Sequence, residues 1–219
     1  MSDDSEGASQ AVSLTRFTRT GSEPEFKRAF DTFAEHTRAL PGFRQFQAVG
    51  SVLSPDVYVC VGWWGDSASC HAGVAGDGWQ EVLRALDGVA AADLRVAGKV
   101  ANGLRIHTAD DAGQEEVEGY SDERLVVITS YAPADDSFTA LFTEHTKLRR
   151  TRPGFVFHEG VREESPSLVH HNIEWWLDAE AYRAARAAAA VRESAAELAG
   201  IADVTTLRAR NFANGAPIS

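Results

Sequence analysis

The chain has 219 residues, 44% of them hydrophobic and 9% aromatic, with a formal net charge of −11 at pH 7. That apolar content can bury a core and excludes a globally disordered chain. The excess of acid over base argues against nucleic-acid binding, because a phosphate backbone draws clusters of Lys and Arg.

No apolar run approaches the roughly 18–20 residues of a membrane helix. Residues 1–10 have neither the basic nor the apolar region of a secretory signal. Cys60 and Cys70 are too few for a disulfide framework or a cysteine zinc site. A reduced, cytoplasmic protein is expected.

Residues 1–11 read as a disordered tail, and residues 12–19 as a first strand. Phe26, Phe30, Phe33 and Leu40 fall on one helical stripe, and Pro41-Gly42 ends that helix. Residues 43–53 are extended, Ser54-Pro55-Asp56 is a turn, and residues 57–64 form a strand. Asp66 suits a helix N-cap, since its carboxylate can accept from free backbone amides. The helix that follows is broken by Gly73, Gly76 and Gly78. A strand over 91–100 closes a first repeat, residues 12–107. Residues 108–122 are an acidic linker expected on the surface. A second repeat, residues 123–212, follows the same order. It has a strand over 124–131, a helix over 134–150 and strands over 155–161 and 168–176. An unbroken alanine-rich helix is expected over 178–198, with Gly200 at C′ and a last strand over 201–210. Residues 213–219 read as a tail.

The two halves repeat one another. Pro41-Gly42-Phe43 returns 112 residues on as Pro153-Gly154-Phe155, and Trp63-Trp64-Gly65-Asp66 returns at the same offset as Trp175-Trp176-Leu177-Asp178. Phe33-Ala34-Glu35-His36-Thr37 returns at 109 as Phe142-Thr143-Glu144-His145-Thr146, so three extra residues fall within 146–152. Leu94-Arg95 matches Leu207-Arg208 at an offset of 113. Each repeat reads β-α-β-β-α-β, the split ferredoxin-like unit. Its sheet is antiparallel with helices on one face. The expected fold is therefore α+β: two tandem ferredoxin-like repeats packed sheet to sheet as an intramolecular α+β barrel. That makes a pseudo-dimeric monomer, with homodimerisation through the helices left open.

Side chains alternate along a strand. His170, Asn172, Glu174 and Trp176 share one face, against Tyr58, Cys60, Gly62 and Trp64 in the first repeat. Val59, Val61 and Trp63 look like pure core, so the face with Asn172 and Trp176 should lie under the helices. Convergent polar groups on a normally apolar face point to a small-molecule pocket. Leu141, His145 and Leu148 fall on one stripe beside Phe138 and Phe142, and His36 takes the place of His145 in the first repeat. A recurring His on an apolar stripe reads as structural or as a base. No metal is expected, because no His-x-x-x-His pattern occurs, and no dinucleotide, phosphate-loop or nucleophile-elbow motif is present.

The element order, the Pro-Gly-Phe before the second strand and the Trp-x-Asp start of the last helix resemble the dimeric α+β-barrel superfamily. Within it the chain resembles the antibiotic-biosynthesis monooxygenases, as a tandem-repeat member. The segment from Asn172 through Trp176 to Tyr182 is similar to that of the actinorhodin-type quinone-forming monooxygenases, which carry Asn, Trp four residues on, and Tyr six further. In the first repeat Cys60, Trp64 and Cys70 take these places, so the site is expected in the second. The resemblance implies oxygenation of a polycyclic aromatic polyketide, anthrone or phenol to quinone. O2 is the co-substrate, with no metal or bound organic cofactor. Asn172 would donate to the substrate carbonyl as it becomes an enolate. Trp176 would donate through its indole or pack on the ring, Tyr182 would relay protons, and His145 would remove the first one. His170, Glu174, Phe142, Trp64 and His36 would line substrate. So would an arginine of the last helix, Arg192, with Arg183 and Arg186 competing. Two other readings stand beside this one. The first is a reduced-flavin-dependent ring-cleaving or hydroxylating oxygenase of an angucycline-type pathway. The second is a non-enzymatic ligand-binding or stress-response barrel.

Overall fold

The computed structural model describes residues 11–106, 124–134, 136–164 and 168–215. The expected linker and the first ten residues lie outside these. The fold is mixed α+β, and its eight strands follow the hydrogen-bonded order β1-β3-β2-β8-β5-β7-β6-β4 as a closed barrel. Two compact units divide the chain: residues 1–99 with 212–219, and residues 100–211.

The first unit runs β1 (Ala11–Arg19), α1 (Glu23–Arg38), β2 (Phe43–Ser51), β3 (Val57–Trp64), α2 (Ser67–Ala75), α3 (Asp77–Ala85) and the opening part of β4 (Ala90–Leu104). β1 pairs antiparallel with β3 and β4, and β2 pairs with β3. A capping box starts α1: the Ser22 backbone N–H donates to Glu25 Oε2 at 3.1 Å, and Ser22 Oγ lies 2.5 Å from the same oxygen. Phe26, Phe30 and Phe33 then bury on one stripe against Phe17 of β1, with ring centroids 5.1–6.0 Å apart. Tyr58, Cys60 and Trp64 share this core. The face predicted to lie under the helices does so.

The second unit comprises β5 (Leu125–Pro133), α4 (Phe138–Arg150), β6 (Phe155–Glu163), β7 (His170–Trp176), α5 (Ala179–Ala187), α6 (Ala189–Ile201) and most of β8 (Ala202–Gly215). β5 pairs with β7 and β8, and β6 pairs with β7. The Pro-Gly-Phe turns are built alike, with Gly42 at φ 77° and Gly154 at φ 76°. A Cβ at Gly154 would collide with Ala181, and one at Gly42 with Ser69, so glycine serves both the backbone and the close approach of the following helix.

Five expectations are corrected. The alanine-rich helix is not continuous. It breaks at Ala188 (φ −62°, ψ 132°), as the first unit breaks at Gly76 (φ −66°, ψ 152°), so packing overrides alanine's helix preference. Gly73 and Gly78 lie inside helices and break nothing. Gly200 lies inside α6 rather than at its C′ position, and α4 begins at Phe138, not residue 134. Finally, Leu94 faces Thr15 on β1, whereas Leu207 faces Ile128 on β5. By register the last strands stay at an offset of 112, because Ala90 opposite Arg19 answers to Ala202 opposite Pro133. The Leu-Arg match at 113 is therefore coincidental.

Candidate functional site

Strand register fixes which positions correspond. Cys60, Gly62 and Trp64 lie opposite Thr15, Ser13 and Ala11, and Asn172, Glu174 and Trp176 lie opposite Thr129, Val127 and Leu125. Phe46 faces Gly62 as His158 faces Glu174. Unit 1 thus carries Phe17, Phe46, Tyr58, Cys60, Gly62 and Cys70 where unit 2 carries Tyr131, His158, His170, Asn172, Glu174 and Tyr182. One frame holds an aromatic core, and the other holds a buried polar cluster.

At its centre Glu174, 1% exposed, accepts four N–H donors. Oε1 accepts from Arg149 Nε at 2.6 Å and Asn172 Nδ2 at 2.9 Å. Oε2 accepts from Trp176 Nε1 at 3.0 Å and from Arg149 Nη2. With every lone-pair position filled, the carboxylate acts purely as an acceptor. In unit 1 the matching indole, Trp64, donates instead to Ser13 Oγ at 3.0 Å. The Arg149 guanidinium also lies over the rings of Trp176 and Tyr182, at 5.2 and 5.3 Å. Burial opposes its charge, and Glu174 more than offsets that, holding it protonated. The cluster has a cationic and an anionic member, each buried and each paired.

Glu174 also sets the rest of the cluster. Because it takes the Asn172 amide N–H, Asn172 Oδ1 faces His158 Nδ1 at 3.0 Å. A carbonyl oxygen only accepts, so His158 carries its proton on Nδ1 and presents Nε2 as a bare lone pair. His145 arrives at the same tautomer another way. Ser194 Oγ donates to the Val191 carbonyl at 3.2 Å and so accepts from His145 Nδ1 at 2.7 Å. Burial, then the Arg149 charge, push His145 down to about 4, with Glu174 opposing. Burial lowers His158 as well, with its Asn172 hydrogen bond opposing, and it lowers His170. Tyr131 is pushed up by burial and then by Glu174, which keeps its phenol protonated.

These shifts carry a stability consequence. A His held neutral in the fold and free to protonate when unfolded stabilises fully above its unfolded value near 6.5. That stabilisation is lost as pH falls toward the folded value of about 4. For His145 it amounts to roughly 3 kcal/mol. The urea midpoint should therefore hold near pH 7 and drop steadily between pH 6.5 and 4, and His145→Gln should flatten that slope.

Of the residues singled out in the sequence, Asn172, Glu174, Trp176 and Tyr182 meet around Arg149, and His145 lies one helical turn before Arg149. His170 flanks them, its ring 4.8 Å from Phe138 and 6.2 Å from Phe142, with a buried Nδ1 that has no partner. Arg192, Arg183 and Arg186 are exposed; only Arg186 approaches, 5.8 Å over Tyr182. Trp64 and His36 belong to unit 1. The expected role of Asn172 and Trp176 as donors to substrate meets a different arrangement, since Glu174 accepts the Trp176 indole N–H and one of the two amide N–H groups of Asn172. Arg149, His158 and Tyr131 were missed. Arg149 follows His145 by four residues, on the same helix face. α1 ends two residues after its His36, whereas α4 runs five past His145. The three-residue insertion is the extra helical turn that delivers the arginine. Among the described residues no group of three His, Cys, Asp or Glu is arranged to hold a metal, and no helix is long and apolar enough to cross a membrane.

Comparison with known proteins shows what the chain is similar to. Residues 11–85 match the antibiotic biosynthesis monooxygenase family. A candidate monooxygenase from Fusobacterium nucleatum superposes with a TM-score of 0.72 at 10% identity, over 95% of both chains. One from Lactobacillus acidophilus gives 0.66 at 9%, over 95% of this chain and 96% of that one. An anthrone oxidase-like protein gives 0.72 at 11%, over 94% and 93%. At these identities the likeness is one of fold. No curated protein matches in sequence. Residues 11–85 are thus similar to an antibiotic biosynthesis monooxygenase domain, and the whole chain shares the α+β fold of these solved structures.

Proposed function

We propose that the chain is a cytoplasmic oxygenase. It oxidises an electron-rich aromatic polyketide, an anthrone or phenol, to the quinone with O2 and no organic cofactor, as a pseudo-dimeric monomer with its reaction centre in unit 2. The observation that carries this reading is that unit 2 places His158, Asn172 and Glu174, joined to Arg149, at the positions where unit 1 has Phe46, Cys60 and Gly62. Buried, mutually paired titratable groups with shifted protonation equilibria cluster at functional sites. The imidazole Nε2 of His158, backed by Asn172, accepts the proton of the substrate's acidic C–H or O–H, with His145 as a second neutral acceptor. The resulting carbanion or phenolate is electron-rich enough to reduce O2. For an anthrone, the CH2 carbon becomes a carbonyl with one oxygen atom, and the other leaves as water. The phenols of Tyr182 and Tyr131 supply protons to the reduced oxygen. Trp176 and Phe155, edge to face at 5.1 Å, form part of the aromatic wall.

Oxygen consumption by the purified protein with an anthrone, with and without a flavin reductase system, tests this. Uptake without flavin is expected, with one O2 consumed per quinone formed. Uptake only with reduced flavin overturns the cofactor-independent reaction, and silence in both arms overturns the oxidation of anthrones.

A further inference from the structure

The unit 2 sheet carries a second group of polar side chains on the face turned away from its helices. Ser130 on β5 and His171 on β7 stand directly opposite one another. Each is one residue away in sequence from Tyr131 or Asn172, so strand alternation puts both on the other face from the Arg149–Glu174 cluster. Ser130 Oγ lies 2.8 Å from His171 Nδ1, and His171 Nε2 lies 2.8 Å from Glu163 Oε1 at the end of β6. A carboxylate oxygen only accepts, so His171 carries its proton on Nε2, and the bare Nδ1 accepts from the Ser130 hydroxyl.

A hydroxyl donates to a base, and a carboxylate orients that base: these are the roles of a serine triad, at the usual contact distances of about 2.6–3.2 Å. The two ring nitrogens exchange the places they take in the familiar arrangement. Either nitrogen of a neutral imidazole can act as base, and the one without the proton does so. Ser130 sits within a strand, so no Gly-x-Ser-x-Gly elbow marks it; such a set is defined by geometry rather than by sequence position. Glu163 is buried, whereas Ser130 and His171 are half-buried and open to a small molecule. Beside them Ile128, Val161 and Ile173 are buried and apolar. On the far side of Ser130, β8 sets the exposed Thr205 directly opposite.

Unit 1 does without this set. Arg16 faces Val59 as Ser130 faces His171, and Gly50 faces Tyr58 as Arg162 faces His170, which makes Ser51 the counterpart of Glu163. Arg16, Val59 and Ser51 hold no nucleophile–base pair, so the fold itself does not call for one.

We propose that Ser130, His171 and Glu163 form a second catalytic centre, which hydrolyses small uncharged carboxylic esters through an acyl-serine intermediate. Ser130 Oγ bonds to the ester carbonyl carbon as its proton passes to His171 Nδ1. The bond from that carbon to the alcohol oxygen breaks, and the proton leaves on the alcohol. Water then attacks the acyl carbon, giving a proton to Nδ1, and the acid departs as Ser130 regains that proton. The sum is ester plus water to acid plus alcohol, with no oxidant. The Thr205 hydroxyl can donate to the carbonyl oxygen as it becomes negative. The apolar neighbours suit a short acyl chain, and the Glu163 carboxylate disfavours an anionic ester. This chemistry uses no residue assigned to the oxidation proposed above.

Hydrolysis of p-nitrophenyl acetate by the full chain, together with labelling by a fluorophosphonate, tests this. The fluorophosphonate should add once, on Ser130 by peptide mass spectrometry, and should stop ester turnover. Labelling is read on the wild-type chain and does not depend on how any variant folds. Ser130→Ala should lower kcat/KM for the ester by about a hundredfold or more. Its oxygen uptake with an anthrone should match that of the wild-type chain, so the two activities stand or fall separately. Glu163 is a positioning residue, and Glu163→Gln should lower kcat with little change in KM. Ester turnover that survives Ser130→Ala, a Ser130 left unmodified by excess fluorophosphonate, or a Glu163→Gln loss confined to KM overturns the site.

Discussion

Arg149→Met should lower the stability of the chain by about 3–5 kcal/mol, the usual result of removing one partner from a buried ion pair. The loss would come less from the missing attraction than from what remains. Glu174 would be left fully buried with only the amide of Asn172 and the indole of Trp176 to hold its charge. The double variant Arg149→Met/Glu174→Met should recover a large part of this, since two apolar groups replace two charges. It should not recover all of it. Asn172 Nδ2 and Trp176 Nε1 lose their acceptor, and each buried donor left unpaired costs about 1–3 kcal/mol. Urea unfolding at pH 7 with an unchanged m-value would report these differences as shifts of the midpoint. A single variant that loses less than about 1 kcal/mol would instead place the pair among solvated ion pairs.

Asn172→Ala should lower kcat for anthrone oxidation by about a hundredfold or more while the fold persists, as loss of a group that fixes a catalytic His tautomer does. In the proposed reaction Asn172 is a positioning residue: its carbonyl fixes the His158 proton on Nδ1 and leaves Nε2 to take the substrate proton. A residue that works through another gives non-additive losses. His158→Gln should cost about as much as Asn172→Ala, and the double variant little more than either. Losses that multiply would show that Asn172 acts on the reaction independently of His158. Unchanged turnover in a folded Asn172→Ala protein would remove it from the reaction altogether.

Much of the architecture was legible because it is written twice. The paired Pro-Gly-Phe turns and Trp-Trp strands impose the same backbone events at a fixed spacing, and strand alternation alone puts Asn172, Glu174 and Trp176 on one face. What alternation cannot give is the partner from another element. Glu174 was placed as a lining residue, but its role as the hub depends on Arg149. That arginine reaches it only because three extra residues carry the end of α4 further past His145 than α1 runs past His36. The insertion was visible; its consequence was not, because an offset says where residues are added and not whether they continue a helix. The arginine sought in the last helix lies on its outer surface for a related reason. Arg192 directly follows buried Val191, and successive residues on a helix point about 100° apart. The break at Ala188 was hidden because alanine gives no local reason to stop.

The pairing of an aromatic core with a polar cluster in one frame bears on how such a chain can change. In a symmetric homodimer every substitution is made in both copies at once, so a charge introduced for chemistry also enters the partner's core. Here Phe46 and His158, or Gly62 and Glu174, are encoded separately. A residue that destabilises one half can be inherited without its twin, while the other half keeps the packing that lets the chain fold. Duplication thus lets two selective demands act on different codons for the same position in space.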